Sequence, residues 1–302
     1  MAINKKLSVI IVNYNSYHVL INCLKTIFQT QYPKQLIEII IVDNNSNDKS
    51  IRQISLLYPS VHLIMNKNNV GFAAANNQGI RSSNGKYVLI LNPDTLVSPD
   101  VFSKSIEFMD NTPDSGAMTC KVELPSGELD DACHRGFPNP WNAIFQFSGI
   151  SNIFPYSRIL NGYHLGYQNM NKIHEIDSCT GAFMLVRRIA GDKIKWFDED
   201  FFWYGEDIDF CYRLKMDKWK NYYLPSTKII HFKGVSSGIK KHTRYLSKAT
   251  KAERIKATCH RFEVMKIFYN KHYKEKYPKL ITNLILAAIR IKEMFHLIKI
   301  KV

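Results

Sequence analysis

Leu7-Ser8-Val9-Ile10-Ile11-Val12-Asn13-Tyr14-Asn15-Ser16 decides the fold of this 302-residue chain. An apolar, β-branched run stops at four polar residues, and beyond them Val19, Leu20, Cys23, Leu24, Ile27 and Phe28 fall on one helical face. That change of period predicts a strand followed by a helix, with Ser16 placed as its N-cap. The unit then repeats. Residues 37–42 read as a strand, Asp43-Asn44-Asn45-Ser46-Asn47-Asp48 as the polar turn and residues 51–58 as a helix, followed by a strand at 61–65, a helix at 72–81 and a fourth strand at 87–91. Ser98-Pro99 then supplies a cap and a first-turn proline for another helix. Strands that are apolar throughout belong in a sheet covered on both faces, so the expected class is α/β, a mostly parallel sheet with helices on both sides.

Composition permits this. With 45% apolar and 12% aromatic residues the chain can bury one large core plus an appendage. The six cysteines are scattered without a C-x-x-C pair, which suits reduced thiols in a cytosolic compartment. Lys5 and Lys6 lead straight into the first strand with no cleavage-site pattern, so no signal peptide is expected, and no apolar run reaches the roughly 20 residues that span a bilayer. The net charge of +15 is unevenly placed: of 41 Lys+Arg and 26 Asp+Glu, 17 and 4 lie from Lys240 onward. A nearly neutral front with a basic C-terminal appendage fits a catalytic domain held against something anionic, not a nucleic-acid module.

Ligands of such sheets bind beyond the carboxyl ends of the strands. Three polar clusters fall there: Asn13-Tyr14-Asn15, Asp43-Asn44-Asn45 and Asn92-Pro93-Asp94. Each alone is ordinary turn chemistry, but three in register point to one crevice. No G-x-G-x-x-G follows the first strand and no P-loop is present, so phosphates would be neutralised by a cation on a strand-end carboxylate, for which Asp94 is placed. Gly205-Glu206-Asp207-Ile208-Asp209-Phe210-Cys211-Tyr212-Arg213 puts an acidic pair at a turn into a helix. Such a pair either complements the helix dipole or presents a carboxylate as general base.

Taken in order and spacing, Val9 to Asn15, Ile41 to Ser46, Asn69-Val70-Gly71-Phe72 through Gly79, Leu91-Asn92-Pro93-Asp94 and Gly205 to Arg213 resemble family 2 glycosyltransferases of the GT-A (Rossmann-like) fold. The likeness is greatest to bacterial rhamnosyltransferase-type enzymes of surface polysaccharide synthesis and covers about residues 7–238. The resemblance implies an inverting transfer from a dTDP- or UDP-sugar to a hydroxyl of a lipid-linked or glycan acceptor. It places Val12 and Tyr14 at base and ribose, Asp43 on the pyrimidine, and Asn13, Asn45, Asn69, Gly71, Asn76 and Asn92 in the rest of the donor site. Asp94 becomes the Mg²⁺ or Mn²⁺ contact with His231 completing the site, Asp207 the base, and Glu206 its helper on the acceptor hydroxyl. Gly181, Trp203 and Tyr204 fall on the acceptor side, and Lys233 is a further candidate for the diphosphate. Two departures stand out. Ala75-Asn76-Asn77 lacks the arginine of many relatives, and Asn92 replaces the first acid of the D-x-D.

The expected organisation is a catalytic domain at residues 1–239, its nucleotide-sugar half ending near 120, and a basic helical extension at 240–302. Between residues 124 and 175 the pattern loosens into a lid or acceptor loop around Cys133-His134-Arg135-Gly136-Phe137. From Lys279, Leu280, Ile281, Leu284, Ile285, Ala288, Ile291, Phe295 and Ile298 share an apolar face edged by Arg290, Lys292, Lys299 and Lys301. Such a helix lies in an anionic membrane interface or packs on the catalytic domain or a homodimer partner. The corresponding location is cytoplasmic, peripheral on the inner face of the plasma membrane. Two alternatives remain at this level: a sugar nucleotidyltransferase, and a catalytically inactive glycan-binding relative.

Overall fold

The computed structural model describes residues 5–48, 50–233 and 250–301. Gly234-Val235-Ser236, the expected boundary at 239 and the start of the tail from Thr243 lie outside the described residues, as do the side chains of Lys299 and Lys301.

The opening stretch forms β1 (Leu7–Asn13), buried at all seven positions, and α1 (Tyr17–Phe28), which turns Leu20, Cys23, Leu24 and Ile27 inward. Burial of each such large aliphatic side chain is worth about 1.5–3 kcal/mol. Ser16 occupies the N-cap position without a side-chain cap. Its hydroxyl donates instead to Asn13 Oδ1 at 2.7 Å, and the Tyr17 N–H is received by Asp48 Oδ2 at 3.0 Å. The chain continues through β2 (Ile37–Asp43), α2 (Ser50–Leu57), β3 (His62–Met65), α3 (Phe72–Arg81) and β4 (Tyr87–Leu91). These four strands pair in parallel, in the order β3-β2-β1-β4.

A short β5 (Thr95–Val97) follows, then α4 (Val101–Asn111). The helix begins later than Ser98-Pro99 suggests, because the Ser98 hydroxyl is engaged by the Lys228 carbonyl and Asp100 takes the N-cap position. Next come β6 (Ser115–Glu123), α5 (Pro140–Phe147), α6 (Ile150–Ile153), β7 (His174–Ile176), β8 (Phe183–Arg187), α7 (Arg188–Lys193), α8 (Glu206–Met216) and β9 (Lys220–His231). Here the sheet becomes mixed: β8 runs antiparallel to β4 and β6, while β9 runs parallel to β6 and antiparallel to β5 and β7. The loosely patterned excursion is therefore a helical one, with Asn139 capping α5 by accepting from the Asn142 N–H at 2.8 Å.

Two helices end the chain, α9 (Lys251–His272) and α10 (Lys279–Lys301), packed antiparallel with Phe262 against His296 and Lys266 bound to Glu293 at 2.6 Å. Helix α9 docks on α8. Asp209, fully buried, accepts from Arg213 and contacts His272, both at 2.7 Å, and Phe268 and Tyr273 pack edge-on against Tyr212. Among the described residues no helix is long and apolar enough to cross a membrane.

Candidate active site

One cleft of about 610 Å³ opens along the carboxyl ends of β1 and β4 and extends under α5, α9 and α10. Of the residues singled out from sequence, Val12, Tyr14, Asn69, Gly71, Gly181, Trp203 and Tyr204 line it, as do Asn92, Asp94 and His231 at one polar end and Glu206 and Asp207 at a second. Gly71 is required where it stands. Its φ is +89°, and a Cβ would lie 2.7 Å from the Phe202 carbonyl oxygen.

Asn13, Asp43, Asn45 and Asn76 do not line the cleft. The Asp43 carboxylate accepts from Asn13 Nδ2 at 2.7 Å and from the Ser46 hydroxyl and N–H at 2.6 and 2.9 Å, so it ties the first two strand-end turns together. Asn45 is exposed in the left-handed region, with φ 65°. Asn76 donates to the Phe72 carbonyl at 2.9 Å within its own helix. Its neighbour in the strand-end cluster, Asn44, does face the cleft, and its amide fixes the Gly71 carbonyl at 3.1 Å.

At the first end, topology makes the chemistry. Strand β5 pairs with the last residues of β9 in the register Thr95↔His231, which sets Asp94 beside the histidine. Asp94 Oδ1 lies 3.3 Å and Asn92 Nδ2 3.4 Å from His231 Nε2. On the other side of the ring Asp130 Oδ2 lies 3.5 Å from Nδ1, and Asp130 is also ion-paired with Lys233. Burial alone would lower the His231 imidazole, but the carboxylates of Asp94 and Asp130 lift it to about 9. Asp130, which burial would raise, is held well below the usual carboxylate range by His231 and Lys233. Among the described residues no three His, Cys, Asp or Glu side chains gather as a complete metal site. Once a cation displaces the His231 proton, Asp94 Oδ1 and His231 Nε2 would offer a half-site of hard and borderline donors, with Asp130 behind the ring. That arrangement fits a divalent cation whose other ligands are phosphate oxygens.

At the second end, Gly205 at φ +81° turns the chain into α8, whose first turn carries Glu206, Asp207 and Asp209. Asp207 Oδ2 accepts from Arg135 Nη2 at 2.7 Å and from the Gly181 N–H at 3.3 Å, while Oδ1 accepts from Ile208 N–H at 2.8 Å. The buried Arg135 guanidinium, which desolvation would disfavour, stays firmly protonated because Asp207 faces it. Glu206 has no such partner. Its Oε2 is buried without a hydrogen bond among the described residues, and burial, then the Asp207 charge, push its carboxyl up to about 8. A Cβ at Gly181 would make only ordinary contact, 3.6 Å from Phe72 and 3.8 Å from Glu206, so the expected close approach there is not imposed by the protein's own atoms. Trp203 and Tyr204 stack on one another, centroids 5.4 Å apart at 7°.

Arg135 and Asp130 were not singled out as site residues, one reading as part of an acceptor loop and the other carrying no signal. Both sit in irregular segments, and the long-range pairing of β6, β8 and β9 brings Arg135 to the cleft and Asp130 behind His231.

Comparison with known proteins bears on the family and the fold. The model for "Glycosyl transferase family 2" matches residues 8–192. Among curated proteins, rhamnosyltransferase WbbL of Escherichia coli (strain K12) is 27% identical over 201 residues, covering 64% of this chain and 72% of that protein. The N-acetylglucosaminyl-diphospho-decaprenol L-rhamnosyltransferase of Mycobacterium tuberculosis (strain CDC 1551 / Oshkosh) is 24% identical over 229 residues, 67% and 68% of the two chains. Among solved structures, S. aureus TarS superposes with a TM-score of 0.57 at 16% identity, over 96% of this chain and 72% of that one. Mannosyltransferase PcManGT from Pyrobaculum calidifontis, in complex with GDP-Man and Mn2+, gives 0.57 at 17% identity, over 98% and 73%.

Proposed function

The chain belongs to glycosyl transferase family 2, and from that premise we propose that it transfers rhamnose or another hexose, with inversion, from a dTDP- or UDP-sugar to a hydroxyl of a lipid-linked or polysaccharide acceptor. The observation that carries the reading is the joining, in one cleft, of the Asp94–His231 pair with the Arg135-held Asp207. A donor bridging the cleft has its diphosphate at the first pair and its anomeric carbon toward the second.

In the transfer, the acceptor oxygen bonds to the anomeric carbon as the bond from that carbon to the diphosphate oxygen breaks. The hydroxyl proton passes to Asp207. Of the two adjacent carboxyls this is the one able to take it. Arg135 faces and orients Asp207, whereas burial pushes the Glu206 carboxyl up to about 8, so at neutral pH it is mostly protonated and can donate a hydrogen bond. Asp94 and His231, with Asn92 beside them, would hold Mg²⁺ or Mn²⁺, which when bound supplies a Lewis acid at the departing diphosphate. Lys233 adds positive charge at the same end. Val12, Tyr14, Asn44, Asn69 and Gly71 shape the nucleoside side, and Asp43, with Asn13, Asn45 and Asn76, frames it from outside the lining. Gly181, Trp203 and Tyr204 face the acceptor.

We further place the catalytic domain at residues 1–239, with the donor half ending near 120, and take the extension from 240 as a wall of the acceptor side. The name of the M. tuberculosis relative carries a diphospho-decaprenol acceptor, which favours a lipid-linked acceptor and a peripheral position at the membrane here. Calorimetric titration with dTDP and UDP, with and without Mn²⁺, tests the donor site. Binding that requires the ion and is lost in Asp94→Ala is expected; absence of binding by both nucleotides under every condition would overturn the reading.

A further inference from the structure

We propose that the apolar part of the cleft, between α5 and the α9–α10 hairpin, is a subsite for a phosphate-bearing polyisoprenoid, with Lys256 and Arg261 as its phosphate contacts; the inference rests on the glycosyl-transfer reading above. The cleft does not end at the catalytic carboxylates. Val264 and Met265 from α9, Ile285 and Ala288 from α10, and Ile144 from α5 line it as well. Gln146 and Tyr163 are in the same lining, but these five side chains offer a sugar no hydroxyl, amide or charged partner. A hydrocarbon chain needs only area removed from water.

Two cations line the same cleft. Lys256 Nζ lies 5.8 Å from the centre of the Phe202 ring, and neither Lys256 nor Arg261 has an ion-pair partner among the described residues, although both line the cleft. Arg261 also lies close enough to Lys292 that, after burial, it helps depress that lysine. Two cations beside an apolar slot form a collar that matches a lipid phosphate.

The surroundings fit a ligand longer than the slot. On α10, Ile281, Leu284, Ala288, Ile291, Phe295 and Ile298 recur at helical spacing on the exposed side, Leu284 at 63% and Phe295 at 57% exposure, and Ala288 within that stripe is itself a cleft wall. Across the mouth, Trp141 is 63% exposed and Ile144 49%. The slot thus opens between two uncovered apolar faces, where the remainder of a long isoprenoid would continue into a bilayer. The occupant that satisfies slot, collar and faces together is a polyisoprenyl phosphate or diphosphate carrying the acceptor sugar.

The test uses the full chain and three probes, geranylgeranyl diphosphate, isopentenyl diphosphate and inorganic pyrophosphate, with binding followed by calorimetry below the micellar concentration of the first. Geranylgeranyl diphosphate is expected to bind at least about tenfold more tightly than the two short probes. The double variant Lys256→Glu/Arg261→Glu and the single variant Ala288→Glu, all at exposed positions, should each weaken it by about tenfold while leaving dTDP and UDP binding within about twofold of the parent. Equal binding of long and short probes, insensitivity to these variants, or displacement of geranylgeranyl diphosphate by dTDP would overturn the subsite. Failure of both nucleotides to bind the parent would instead sink the transfer reading, and the isoprenoid arms would still decide the subsite.

Discussion

The two ends of the cleft each hold buried carboxylates, yet they balance them in opposite ways. At the strand ends, Asp94 and Asp130 flank His231, and Lys233 completes an alternation of charge in which each acid faces a cation. At the start of α8, Glu206 and Asp207 are neighbours in sequence, but among the described residues Asp207 is ion-paired, with Arg135, while Glu206 is left with an unpartnered oxygen. Burial raises the Glu206 carboxyl, and among the described residues no facing cation offsets it as Arg135 does for Asp207. On the function we propose, the compensated end receives phosphate and metal, and the half-compensated end moves a proton.

Removing the counter-charge should cost most. In Arg135→Met the Asp207 carboxylate loses its opposite charge and the hydrogen bond that orients it, so kcat at neutral pH should fall about a hundredfold with nucleotide affinity retained. An unchanged kcat would break the comparison at the base end. Asp130→Asn acts behind the other end. It leaves Asp94 in place but loosens His231 and Lys233, and the Mn²⁺-dependent affinity for nucleotide should weaken about tenfold with kcat little changed. The smallest effect is on stability. The Glu206 carboxyl is raised from 4.5 to about 8, so the folded state holds its proton more tightly than the unfolded chain. Its contribution is full below 4.5 and lost as pH rises through about 8. Thermal melts of Glu206→Gln between those limits should therefore decline less with pH than those of the parent.

The parallel front of the sheet was legible because each strand is a continuous apolar run closed by polar turn residues, and β1 through β4 follow that reading. So was the approach of Asp94 and Asp207 to one cleft, although both depend on partners the local pattern does not reveal. β5 is too short for a periodic signal and acquires its meaning only through the register Thr95↔His231. Asp130 and Arg135 lie in a segment without hydrophobic period, so nothing local separates them from surface charges. Ser16 shows the limit of local rules, since a residue in cap position gave its hydroxyl to Asn13 once the strand-end network formed. The tail's amphipathic pattern was visible, but not that α9 would be anchored by His272 on Asp209 and lend Val264 and Met265 to the cleft.

The assignment of Asp207 as base and Glu206 as its protonated neighbour is tested most directly by nucleoside diphosphate release at neutral pH from Asp207→Asn and Glu206→Gln, each supplied with donor sugar and bacterial lipid extract. The account predicts that Asp207→Asn loses about a thousandfold or more in kcat with nucleotide affinity intact, while Glu206→Gln retains activity within about tenfold. Near-normal turnover in Asp207→Asn, with Glu206→Gln inactive, would contradict it.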